Sequence, residues 1–236
     1  MLTYQQMYSL SRIYMVKRIV FGLIWVAFGT YAFLYAPTDQ PETNTLIQNL
    51  IAGHIEGINP AIVALFNIMG VIPGIYACLL FADGRGQKIP AWIFVILSFF
   101  IGAFGLLPYL ALRKPNPTFI GKQNWLIKVF DSKLTGILLA IAAAYLVAYG
   151  VWKGDWIDFI HQFQTNRFIH VMSLDFCLLC LLFPWLLSDD MQRRGMENNQ
   201  TYMLVSVVPL FGVLSYLCMR SPLISSEPSQ NQTLAS

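Results

Sequence analysis

Asp175 stands in the apolar run FIHVMSLDFCLLCLL, several residues from either end, with Phe176, Leu178 and Leu179 beside it. A lone carboxylate in hydrocarbon is costly, so this residue has to face a protein interior and find a partner there. Chemically, such a group donates or accepts a proton, or grips a ligand. Structurally, it is a hydrogen bond that fixes one helix against another. The sequence leaves both readings open.

Other polar groups are placed to join it. Asn67 occupies the matching position in a related segment 108 residues earlier. A carboxyl and an amide at one depth would form a polar centre between two halves. Tyr109 and Tyr216 form a second matched pair, able to orient a ligand through their hydroxyls or to sit in an interfacial aromatic belt. His170 precedes Asp175 by five residues, roughly 140° around a helix, so the two do not make a dyad. It is a candidate ligand contact near the membrane boundary. Two turns, one with Asp83, Arg85 and Gly86 and the other with Asp190, Arg193, Arg194 and Gly195, carry acid, base and glycine. They fit a headgroup or partner contact, or simple helix capping.

Several chemistries find no footing. Cys177 and Cys180 are formally a CxxC pair, but apolar surroundings make thiols inert. His54 and His161 fall in loops, no HExxH or other ligand spacing exists, and no metal is expected. The chain has no P-loop, no GxSxG and no GxGxxG opening a helix.

The elements that must position these residues are membrane helices. Of the 236 residues, 56% are hydrophobic and only 11% are charged, against about 25% charge in a soluble domain. Six runs reach the roughly 20 apolar residues that a span requires: 18–36, 60–82, 90–112, 134–152, 168–187 and 201–219. The expected fold is therefore all-α, with about six transmembrane helices. The first run follows Lys17 and Arg18 and reads as a retained signal anchor. A net charge of +3 without a clustered basic face excludes a nucleic-acid partner.

The chain also repeats itself. FGLLPYLALRKP (104–115) and FGVLSYLCMRSP (211–222) share seven of twelve positions at an offset of 107. This divides the protein into a first three-helix unit (1–115), a basic interfacial linker (116–133), a second three-helix unit (134–222) and a polar tail (223–236). In the linker, Trp125, Leu126, Ile127, Val129 and Phe130 alternate with Lys122, Lys128 and Lys133, as in a helix lying among headgroups. An odd number of crossings per unit makes the repeats inverted; otherwise only the hairpins 60–115 and 168–222 are related. With six crossings, Lys and Arg fall almost equally on the two sides. The Lys/Arg-free stretch 37–59 then places the N-terminus in the cytoplasm.

GRGQKIPAWIFVILSFFIGAFGLLPYLALRKP (84–115) and FIHVMSLDFCLLCLLFPWLLSDDMQRRG (168–195) resemble a conserved multi-span membrane protein family of cyanobacteria and plant plastids. The resemblance covers most of the chain from about residue 60 onward. A more distant likeness, confined to the second half, is to the abscisic-acid-deficient-4 membrane family of neoxanthin formation. It rests on His170, Asp175, Asp190, Arg194, Gly195 and Gly212. These likenesses imply an integral factor of a cyanobacterial thylakoid or plasma membrane. Such a factor assists pigment or photosystem biogenesis by binding an apolar ligand or a partner complex. They equally admit a membrane enzyme acting on a carotenoid, with Asp175 as acid or base and Asn67, Tyr109 and Tyr216 orienting the substrate. The repeat plan alone admits a small transporter. The expected partners are the bilayer and photosynthetic membrane complexes, and no cofactor is expected apart from bound pigment or lipid.

Overall fold

A computed structural model describes residues 4–196 and 199–226. The expected polar tail lies outside the described residues from position 227 on. Twelve helices account for the described chain: α1 (Tyr4–Leu34), α2 (Thr43–Ala52), α3 (Pro60–Asp83), α4 (Ala91–Ile101), α5 (Ala103–Leu112), α6 (Trp125–Asp131), α7 (Lys133–Lys153), α8 (Trp156–Thr165), α9 (Arg167–Leu182), α10 (Pro184–Arg193), α11 (Asn199–Val207) and α12 (Phe211–Met219). Among the described residues the extended pairing is a two-residue parallel bridge between Phe119–Ile120 and Ser225–Ser226.

Local sequence sets many of the helix starts. Asn59 accepts the Ala61 N–H ahead of Pro60, which suits the first helical position because it has no N–H to satisfy. Asn124, Ser132, Asp155 and Asn166 cap α6, α7, α8 and α9 in the same way.

Four stretches are long and apolar enough to cross a bilayer: 14–34, 60–83, 133–153 and 167–193, the last being α9 and α10 together. The other two stretches expected to span do not run straight. The 90–112 run breaks at Gly102, with φ 54° and ψ −129°, and the 201–219 run breaks before Phe211, where Leu210 has φ 61°. Each folds back on itself as a short hairpin, α4–α5 and α11–α12. A Cβ on Gly105 would lie 2.8 Å from the Leu97 backbone, and one on the matching Gly212 would overlap the Val205 carbonyl. The open ends are tied as well. The Gln87 side chain accepts the Lys114 N–H at 2.9 Å, and Met196 Sδ accepts the Ser221 N–H at 3.3 Å.

The six expected runs thus appear as four helices long enough to cross and two shorter apolar hairpins. Apolar length cannot tell a straight span from a folded one.

Helix α3 forms the centre, with Ile72, Ile75, Tyr76, Leu79 and Leu80 fully buried. Tyr76 stacks on Phe183 at 4.4 Å and donates its hydroxyl to the Leu179 carbonyl, joining α3 to the α9–α10 junction. Helix α7 comes close through glycines: Gly136 against the Leu217 backbone and Gly150 against Ala64. This small-residue packing is usual between membrane helices. Helices α1 and α7 keep most of their apolar surface exposed. In α6, Ile127 is buried while Trp125, Lys128 and Val129 are exposed.

Candidate functional site

The C-terminal ends of α3, α5, α10 and α12 converge, and there the sequence puts its charges. Asp83 closes α3. Tyr109, on α5, donates its hydroxyl to Asp83 Oδ2 at 2.7 Å, and Arg113 just beyond α5 grips both Asp83 oxygens. One repeat later, Tyr216 donates to Asp190 Oδ2 at 2.8 Å, and Arg220 lies 3.6 Å from the same oxygen. The two acid–tyrosine–arginine sets are therefore the same residues at the same offset. Arg193 connects them: its Nη1 is 3.2 Å from Asp83 Oδ1 and its Nη2 is 3.2 Å from Asp190 Oδ1.

Further groups complete the cluster. Arg194 pairs with Asp190 and with Asp131 of α6, and also donates to the Ser221 carbonyl. Arg220 reaches the carbonyls of Cys78 and Phe130, and Arg113 also meets Asp189. Four carboxylates thus face four guanidiniums. Asp83, Asp190 and Arg193 have fully buried side chains. Burial works against the charge of Arg113 and Arg194. The carboxylates beside them outweigh it and hold both guanidiniums above the ordinary arginine range. Buried charges survive only when paired and hydrogen-bonded in this manner.

Asp175 lies elsewhere, on α9, against the tip of the α4–α5 hairpin. Its Oδ1 accepts the Ala103 N–H at 2.8 Å. That N–H opens α5 and has no partner within its own helix. A Cβ on Gly102 would collide with the carboxylate, so glycine is required both for the backbone angles and for the approach. A helix of about 11 residues is roughly 16 Å long, about half the thickness of a hydrocarbon layer of roughly 30 Å.

The remaining candidates are scattered. Asn67 is exposed and donates to the Val63 carbonyl of its own helix, so it makes no polar centre with Asp175. His170 is held between Phe163 and Tyr31. In the neutral ring Nδ1 donates to the Phe163 carbonyl and Nε2 accepts from the Tyr31 hydroxyl, both at 2.8 Å. It clasps α1 to α8 and α9 and does not approach the charged cluster. Arg85 is exposed and donates to the Lys122 carbonyl. Tyr109 and Tyr216 are buried hydrogen-bond donors and no aromatic belt. Among the described residues no group of three or more His, Cys, Asp or Glu could hold a metal ion.

The sequence points to Asp83, Asp190, Arg193, Arg194 and both tyrosines without joining them, and gives Arg113, Arg220, Asp131 and Asp189 no role in a site. The signal was present: Asp83 and Asp190 share the 107-residue offset of the tyrosines and arginines. Comparison with models of known families, with curated proteins and with solved structures finds no match.

Proposed function

We propose that this protein is a non-enzymatic integral membrane factor that binds an apolar ligand or partner complex within the bilayer. The observation that carries the reading is the use made of Asp175: its carboxylate is taken up by the Ala103 N–H at a hairpin tip. A carboxyl committed to closing a half-depth helix serves architecture, which favours the factor over an enzyme centred on that acid. The resemblance to plastid and cyanobacterial membrane proteins supports a photosynthetic membrane as its setting.

The architecture that goes with this reading is a pair of parallel units, each two crossings followed by a hairpin that enters and leaves on one side. Charge supports it. With hairpins in place of two spans, only Lys153 and Arg167 of the 15 Lys and Arg lie on the far side. The near-balance expected from six crossings becomes a strong bias, and the cluster side is the cytoplasmic or stromal one, with the N-terminus on it.

A second reading, a small transporter, is favoured by the interrupted runs, because helices that start at mid-membrane are a transporter device.

One pair of variants separates these. Asp175→Asn keeps an oxygen to accept from Ala103 and removes acid–base capacity; Asp175→Leu removes both. The factor reading expects Asp175→Asn to accumulate normally with an unchanged carotenoid profile, and Asp175→Leu to accumulate poorly. Loss of a pigment product at normal Asp175→Asn levels overturns it in favour of the enzyme. Proton-coupled uptake by reconstituted vesicles that Asp175→Asn abolishes overturns it in favour of the transporter.

A further inference from the structure

The ionic cluster is balanced within itself, but just outside it the charge is not. Where α1 passes the C-terminal end of α5 and the first turn of α10, Tyr14, Lys17, Arg18, Phe21, Arg113 and Trp185 line a cleft. Arg113 has a side chain only 8% exposed and is fixed by Asp83 and Asp189, so it is a preset cation in the cleft wall. Lys17 and Arg18 are different: among the described residues neither has a carboxylate partner. The Lys17 ammonium instead rests 5.4 Å from the centroid of the Trp185 ring. Phe21 packs edge-on against the same ring at 5.4 Å and supplies an apolar floor one helical turn deeper.

We infer that this cleft is a binding site for the headgroup phosphate of an anionic membrane lipid, with Lys17 and Arg18 as phosphate contacts. Three features agree on that ligand class. Two cations without a carboxylate partner among the described residues, beside a buried arginine, create a local excess of positive charge, which an anion complements. An indole and a phenol flank them, the residue types found at headgroup level. Phe21 and the neighbouring apolar surface of α1 run from the cations toward the bilayer centre, the course an acyl chain follows. A free phosphate would answer the charge and gain nothing from the apolar floor. The inference needs only a membrane setting and does not depend on the ligand or activity proposed above.

The test uses the full chain in nanodiscs containing phosphatidylglycerol and phosphatidylcholine, with bound lipid read by native mass spectrometry. The wild type is expected to retain phosphatidylglycerol selectively. Lys17→Gln with Arg18→Gln lowers that retention by roughly thirtyfold, since each cation near an anionic surface contributes about a kcal/mol. Lys122→Gln with Lys128→Gln, two exposed cations ahead of α6 and on it, leaves it unchanged. Arg18→Gln alone, an exposed substitution that leaves the fold intact, gives a smaller loss in the same direction. Equal retention in the Lys17/Arg18 variant, or an equal loss in the α6 variant, overturns the site in favour of diffuse attraction. Displacement of the lipid by millimolar inorganic phosphate overturns the lipid assignment.

Discussion

Asp83 and Asp190, 107 residues apart in the chain, share the guanidinium of Arg193 at 3.2 Å each. A single side chain from the second half thus closes the symmetry between two copies of one acid–tyrosine–arginine set. The first copy has no residue equivalent to this bridge, because the matching position is Gly86.

Removing the bridge takes one guanidinium contact from each of two buried carboxylates. Arg193→Met should lower stability by about 3–5 kcal/mol, the usual cost of breaking a buried pair. Unfolding in detergent, followed by helix signal, reads it. A loss below about 1 kcal/mol would show that the carboxylates do not depend on Arg193.

The two tyrosines should behave alike. Tyr109→Phe and Tyr216→Phe each remove a hydroxyl donor from a charged acceptor, worth about 1.5–3 kcal/mol. Because both acceptors touch Arg193, the double variant should depart from additivity by about 0.5–3 kcal/mol. A double-mutant cycle measures it, and strict additivity would mean that the two sets are independent.

Gly102→Ala should be poorly tolerated. The residue holds a positive φ, and its new Cβ would strike the Asp175 carboxylate. Strained backbone alone costs about 1–3 kcal/mol. The expected readout is reduced accumulation and a lower unfolding temperature, while Gly22→Ala, with open space at its Cα, changes neither.

The hairpin makes a topological prediction. Lys88→Cys and Lys114→Cys, both exposed and flanking 90–112, should label with an impermeant maleimide from the same side of the membrane; Lys153→Cys should label from the other. Labelling of positions 88 and 114 from opposite sides would restore six straight crossings.

Composition and apolar run length made the all-helical membrane character legible, and the identical residues at Gly105/Gly212 and Tyr109/Tyr216 pointed to recurring local packing. What run length could not reveal was folding within a run. Alanine and glycine at 102–105 read as ordinary apolar residues until the backbone reverses there. Asp175 was rightly read as facing inward, but its partner is a backbone N–H, which no side-chain pattern can announce. Asn67 misled because matching depth in two helices says nothing about which way each faces. The arginines were overlooked because they stand at the ends of apolar runs, where snorkelling to headgroups is the ordinary expectation.

In the proposed topology the far side holds no basic residues apart from Lys153 and Arg167, which bears on how the chain is made. A nascent protein in the proposed orientation has to pass only two polar connections through the membrane, 35–59 and 154–166. These carry acids and no Lys or Arg. Neither hairpin sends a loop across at all. Insertion would therefore drag almost no cation against an energised bilayer, and the arginines that later lock the halves together would never have to leave the side on which they were synthesised.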